Sequence, residues 1–197
     1  MKKLVLVAVF LLGFSVMAMA QDVPRVEVFG GYSLILVDTT TALKQSLFEG
    51  MNLNLNGWNG SIAINGNKWG AFVADFGGSY GVAGEEHSVP TRWGEWMDVS
   101  IHSIMVGPKF TLHRGKASPF VQTLIGVARI KTSWAHQDYI ENVLALTLGG
   151  GIDVNLNDMV ALRPVQLDYF TTKSGRTGDF DDHLKFSTGF VIKLGKR

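Results

Sequence analysis

The chain has 197 residues, 46% of them hydrophobic and 18% charged, with a formal net charge of +1. That balance fits one folded domain and excludes a disordered chain or a strongly basic nucleic-acid binder. Gly is 23 of 197 against 5 Pro, which excludes collagen-like and Pro-rich chains, and the absence of Cys removes disulfides, thiolate metal sites and Cys nucleophiles together.

Residues 1–20 read as a cleavable signal peptide. Lys2 and Lys3 form a positive start, Leu4 to Val16 is an apolar run, and Ala18-Met19-Ala20 is an A-x-A cleavage pattern. The run is shorter than the ~20 apolar residues a spanning helix needs. The expected mature domain is 21–197. Without Lys2 and Lys3 the 18 basic residues become 16 against 17 acidic, a net charge of −1. A near-neutral chain is not expected to bind nucleic acid through phosphates.

From there the sequence alternates with period two. In 25–37, Val26, Val28, Gly30, Tyr32 and Leu34 oppose Glu27, Phe29, Gly31 and Ser33. Segments 54–65 and 69–80 follow, the latter with Phe72, Ala74, Phe76, Gly78 and Tyr80 on one face and Asp75 on the other. Next come 98–112 and 118–131; in the second, Phe120, Leu124 and Ile130 share a face with Gln122. Segment 142–155 alternates Leu144, Leu146, Leu148, Gly150 and Ile152 against Ala145, Thr147, Gly149, Gly151 and Asp153. In 160–171, alternation alone puts Arg163 with Val165, Leu167 and Tyr169, whereas a bulge at Pro164, which has no N–H to donate, would shift that register. The last segment, 183–195, sets Leu184, Phe186, Thr188, Phe190, Ile192 and Leu194 against His183, Lys185, Ser187, Gly189, Val191 and Lys193.

These eight segments have the ~9–11 residues or more that a tilted strand needs to cross a bilayer. Soluble strands are usually ~5–6 residues long. The connections at 65–68, 113–117 and 156–159 are short and polar; those around 38–53, 81–97, 132–141 and 172–182 are longer. The expected fold is therefore all-β, an eight-stranded antiparallel up-and-down transmembrane β-barrel with both termini on the short-turn, periplasmic side. Its outward face is expected to be apolar and its inward face small and polar. Trp58, Trp69, Tyr80, Trp134 and Tyr169 are candidates for the interface belts, where an amphipathic ring meets headgroups.

The start Val26-Glu27-Val28-Phe29-Gly30-Gly31-Tyr32-Ser33 resembles the first strand of small outer-membrane barrels of the OmpA/OmpX-like superfamily. Asn54-Leu55-Asn56-Gly57-Trp58-Asn59 and Val106-Gly107-Pro108-Lys109-Phe110 are similar to second- and fourth-strand segments in one branch of it. In the last strand Ser187, Gly189, Ile192 and Leu194 resemble the polar-x-Gly-x-x-apolar-x-apolar signal read by the barrel-assembly machinery, although the chain runs on through Gly195-Lys196-Arg197 instead of ending on an aromatic residue. The resemblance covers 25–195 and implies a bacterial outer-membrane location. It also implies outer-membrane lipids and the assembly machinery as partners, with an extracellular partner reached through the long loops.

Six charged residues are expected inside the barrel: Glu27, Asp75, Lys109, Asp153, Asp168 and Lys185. An eight-stranded barrel has a lumen that side chains fill, so opposite charges there should pair into a plug; the alternative is a gated ion path. Enzymatic chemistry finds little support. A lipid A deacylase-like site needs a His within reach of a Ser, and adjacent His102 and Ser103 point to opposite faces of a strand. Glu85-Glu86-His87 and Asp179 with Asp181-Asp182-His183 read as solvated loop charge before they read as a cation site. No cofactor is expected. The leading reading is a non-enzymatic envelope barrel serving integrity, surface interaction or slow solute passage, not a general porin. The alternatives are a lipid-modifying barrel enzyme and a soluble, exported ligand-binding barrel.

Overall fold

The computed structural model describes residues 24–37, 54–83, 97–113, 115–134, 137–173 and 180–195. Residues 1–20, read above as a signal peptide, and most of the long connections lie outside these residues, including Glu85, Glu86, His87 and Asp179. The described residues form eight strands: β1 Val26–Val37, β2 Asn54–Asn65, β3 Gly70–Ala83, β4 Met97–Thr111, β5 Ala117–Trp134, β6 Gln137–Asn155, β7 Val160–Lys173 and β8 Phe180–Leu194. Each pairs antiparallel with its sequence neighbour, and β1 pairs with β8 from Val26↔Leu194 to Val37↔His183, which closes the barrel. Closure leaves no edge strand around the wall, so every strand there has a ladder partner on both sides.

The alternation sorts side chains as the sequence indicates. On β8, Phe190 and Ile192 are exposed while Lys185, Ser187 and Val191 are buried. The outward face is a continuous apolar surface: Ile104 is 61% exposed and Leu148 62%, with Ile62, Phe72, Val121, Ile125, Leu167 and Phe190 around the same wall. A single-chain barrel that buries polar groups and exposes Ile, Leu and Phe inverts the arrangement that water selects.

Two expectations change, and one alternative left open by the sequence is settled. First, 132–141 is not a long loop. The ladder continues to Trp134↔Gln137, leaving only residues 135 and 136 between β5 and β6. β6 pairs with β5 from Gln137 onward but, among the described residues, with β7 only from Leu144. The hairpin therefore rises about 20 Å beyond that part of the wall at ~3.4 Å per residue. Second, the β7 register shifts between Arg163 and Gln166 against β8, and between Ile152 and Val154 against β6. Pro164 sits in this bulge, and the Thr188 hydroxyl donates to the Arg163 carbonyl at 3.1 Å. The bulge turns Arg163 inward, where it is 3% exposed.

Third, the lumen is not uniformly small and polar. Ile35, Leu55, Ile101, Met105, Leu124, Ala128, Val143, Ala145 and Phe170 belong to one buried cluster, with Val99 and Ile130 packed against it. On β5 both faces carry apolar residues, so alternation gives no polarity contrast there. A lumen filled by side chains holds little water, and apolar groups are the cheapest filling wherever charges lack partners.

Candidate functional site

Glu27, Lys109, Asp153 and Arg163 meet in one chain of contacts at the short-turn half of the barrel, and the chain reaches on to Asp168. Asn65 Nδ2 donates to Glu27 Oε1 at 3.2 Å, and Lys109 Nζ donates to Glu27 Oε2 at 3.0 Å. Lys109 Nζ is also 3.7 Å from Asp153 Oδ2. Glu27 lies on β1 and Lys109 on β4, so this pair bridges the lumen. Arg163 grips Asp153 with both ends of its fork, Nε to Oδ1 at 2.7 Å and Nη2 to Oδ2 at 3.0 Å. Its Nη1 donates to Gln166 Oε1 at 2.7 Å. Gln166 Nε2 in turn donates to Asp168 Oδ2 at 2.6 Å, and Gln122 Nε2 to Asp168 Oδ1 at 3.2 Å.

Two aromatic rings enclose this network. The Arg163 guanidinium lies 4.3 Å from the ring centres of both Phe29 and Phe120, and Lys109 Nζ is 4.5 Å from Phe120. A planar, weakly hydrated guanidinium suits this position better than an ammonium, because its faces stack while its edge donates. Gly149 leaves the space that Asp168 uses: a Cβ there would lie 2.0 Å from Asp168 Oδ1. A second, smaller group joins β2, β3 and β8. Asn59 Nδ2 donates to both Asp75 oxygens at 3.0 and 3.1 Å, and Lys185 Nζ lies 3.5 Å from Asp75 Oδ1.

The structure thus brings Glu27, Lys109 and Asp153 into direct contact and links Asp168 to them through Arg163 and Gln166. Asp75 and Lys185 form their own pair. Arg163, Gln166, Gln122, Asn59, Phe29 and Phe120 complete the arrangement, and Arg163 is its best-connected member. The only signal for Arg163 in the sequence is Pro164, which marks the bulge that turns it inward. Chemically, the arrangement can hold fixed charges of both signs in mutual contact and occupy the lumen with them.

The candidate assembly-signal residues divide by face. Ser187 and Gly189 point inward, and Ile192 and Leu194 are exposed on the wall. Of the candidate belt aromatics, Trp58, Tyr80 and Tyr169 are half exposed on the outer surface and Trp69 lies at the β2–β3 turn. The Trp58 indole covers Gly78, where a Cβ would sit 2.6 Å from its Nε1. Trp134 ends β5, and its side chain is outside the described residues. His102 is outward and its Nε2 meets the Tyr80 hydroxyl at 2.9 Å. Ser103 is buried. Ser100 shares the outward face of His102, a pairing that attention to His102-Ser103 passes over. Among the described residues, however, the partner of the imidazole is Tyr80. Among those same residues, no group of three or more His, Asp or Glu side chains could hold a metal ion.

Outside the wall, Lys131 Nζ pairs with Asp138 Oδ2 at 2.8 Å near the hairpin tip. Lys131 and a hydrogen bond from Ser133 hold the Asp138 carboxyl below its usual range.

No protein-family model matches the chain, and no curated protein sequence does. Solved structures do. Ail, the attachment invasion locus protein of Yersinia pestis, crystallised with the heparin analogue sucrose octasulfate, matches at 16% identity with a TM-score of 0.57 over 87% of this chain and 99% of its own. Neisserial surface protein A matches at 12% identity, TM-score 0.60, over 86% and 97%. The outer membrane protein OprG of Pseudomonas aeruginosa matches at 10% identity, TM-score 0.55, over 89% and 98%. Closed by β1 on β8, with an apolar outer wall and a filled lumen, this chain has the fold of the small outer-membrane β-barrel proteins.

Proposed function

We propose that the chain is a non-enzymatic barrel of the bacterial outer membrane, plugged by its own side chains, that serves the envelope as a structural element and a surface for contact. The observation that carries this reading is the pairing of an apolar outer wall with a lumen occupied by Arg163, Lys109 and their carboxylate partners. Hydrocarbon admits only segments whose backbone groups are all paired, and a closed barrel satisfies that demand. The lumen charges act as a plug, and any solute passage is slow and requires their rearrangement. Ser187, Gly189, Ile192 and Leu194 serve as the signal for the assembly machinery. Outer-membrane lipids meet the wall, with Trp58, Tyr80 and Tyr169 at the headgroup level.

Contact with an extracellular partner falls to the long-loop end, where the β5–β6 hairpin rises beyond β7 while β4 runs beside β5 as far as Asp98↔Ser133. The connections 38–53, 81–97 and 172–182, together with the hairpin tip 132–141, carry ten Asp or Glu against four Lys or Arg. That balance favours a basic or neutral partner over a sulfated sugar such as the one bound to Ail.

The test is fractionation with a gel assay. The mature protein is expected in the outer-membrane fraction, migrating differently when heated and unheated, because a folded barrel resists detergent at room temperature. Recovery in the soluble periplasm, with one gel position, would refute the membrane reading and favour a soluble exported barrel.

A further inference from the structure

The two ends of the barrel carry opposite charge. Against the acidic long connections, the short-turn segments 65–69, 112–117, 156–159 and 193–197 contain Lys68, Arg114, Lys116, Lys193, Lys196 and Arg197 with one acid, Asp158. The stretch 21–25 before β1 adds Arg25 and a second acid, Asp22, which leaves seven cations against two acids at this end.

Of these, Arg25, Lys68, Lys116 and Lys193 lie among the described residues, on a rim whose backbone is tied together. Backbone hydrogen bonds tie each turn to the next strand around the circle. Arg25 N donates to Gly195 O at 2.7 Å, Asn65 N to Arg25 O at 2.9 Å and Thr111 N to Trp69 O at 2.7 Å. Asn155 N donates to Lys116 O at 2.8 Å, and Lys193 N to Met159 O at 2.7 Å. The His113 imidazole meets the Lys68 carbonyl at 2.9 Å and joins two neighbouring turns. The collar fixes the backbone that carries these side chains, so only side-chain freedom is lost when they meet a ligand.

Two of the turns are built alike. In one, Asn67 Oδ1 accepts from the Trp69 and Gly70 N–H groups at 2.8 and 2.6 Å. In the other, Asn157 Oδ1 accepts from those of Met159 and Val160 at 2.9 and 2.7 Å. The same turn therefore presents a large apolar side chain at the same position on opposite walls, between β2 and β3 and between β6 and β7. Trp69 is 58% exposed and Met159 61%; Leu112, at the third turn, is 55% exposed. Lys68 Nζ lies 5.2 Å from the centre of the Trp69 ring, so a cation and an apolar anchor share one site.

Exposed apolar residues beside exposed cations are the composition of a surface that sits at the boundary between acyl chains and anionic headgroups. A purely aqueous polyanion such as the cell-wall polymer accounts for the cations but leaves Trp69, Leu112 and Met159 in water. Resting on the outer-membrane reading above, we infer that the short-turn rim is a docking collar for anionic phospholipid of the periplasmic leaflet. Arg25, Lys68 and Lys116 meet lipid phosphates from three places around the rim, and Trp69, Leu112 and Met159 enter the acyl region beneath them.

The test uses the protein refolded into phosphatidylcholine vesicles with spin-labelled phosphatidylglycerol or spin-labelled phosphatidylcholine. The motionally restricted fraction of each label gives their relative association with the barrel. Phosphatidylglycerol is expected to associate about two- to threefold more strongly, because each cation near an anionic lipid contributes to attraction. The preference should fall to about one in the triple variant Arg25→Gln/Lys68→Gln/Lys116→Gln, and in the unaltered protein at ~1 M salt, where the screening length is about 3 Å. Equal association of the two labels at low salt overturns the collar. So does a preference that survives the triple variant, which would place the anion contact elsewhere, such as Arg129 on the outer wall. A total absence of restricted lipid would overturn the membrane reading itself, so the two failures are distinguishable.

Discussion

The two halves of the lumen solve the same filling problem differently. At the short-turn half, Glu27, Lys109, Asp153 and Arg163 occupy the space as linked charges between two Phe rings. Toward the long-loop half, Ile35, Leu55, Ile101, Leu124 and Phe170 occupy it as packed hydrocarbon. The comparison separates two kinds of closure. The apolar half seals mainly through packed hydrocarbon, with Ser79, Thr147, Thr172 and His183 as its buried polar members, and it tolerates loss of an apolar group in proportion to the cavity left. The charged half seals only while each charge has its partner, because a buried charge stripped of its counterion is far costlier than the intact pair is stabilising.

Removing the hub of the charged half is expected to have the largest effect. Arg163→Ala leaves Asp153 without its fork and empties the space between Phe29 and Phe120. The change should destabilise the barrel by about 3–5 kcal/mol, measured by urea unfolding in lipid vesicles. The double variant Arg163→Met/Asp153→Leu sharpens the point: removing both charges should recover most of that loss. If the double variant is as unstable as the single one, the network does more than neutralise charge, and the comparison between halves needs another basis.

In the apolar half, Leu124→Ala is expected to cost about 2–5 kcal/mol through lost burial and a residual cavity. Its cost should not change with pH or salt, because no charge is uncovered. A marked salt dependence for Leu124→Ala would show that the two halves are coupled.

The smallest effect belongs outside the lumen. Asp138→Asn removes the exposed pair with Lys131 near the hairpin tip, and such pairs contribute little. The unfolding midpoint at neutral pH should be unchanged within error. Because the Asp138 carboxyl is held below its usual range, any contribution is present above the unfolded carboxylate range and lost only as pH falls through the folded value. A clear loss of stability in Asp138→Asn at pH 7 would mean that the hairpin tip is tied to the barrel more firmly than one exposed ion pair allows.

Strand number, strand faces and barrel closure were legible because one face of nearly every strand is apolar and the other mixed. Where that contrast fades, so did the reading. On β5 the inward residues Phe120, Leu124 and Ile130 look like outward ones, so the apolar half of the lumen stayed hidden. The β5–β6 hairpin reads as a loop because Thr132 to Glu141 mixes polar and aromatic residues with no turn signal at its centre. Arg163 depended on a single Pro. The inward charges could be placed on a face from their parity, but not which of them touch: that depends on strand stagger around a closed barrel, which no local pattern encodes.

Single-channel recording in planar bilayers tests the central claim most directly. With both halves filled, the unaltered protein is expected to show little or no steady conductance, with at most rare small openings. Lys109→Gln should raise the opening frequency, because Glu27 and Asp153 would then face each other without the ammonium between them. Large, stable, porin-like currents from the unaltered protein would contradict the plugged lumen.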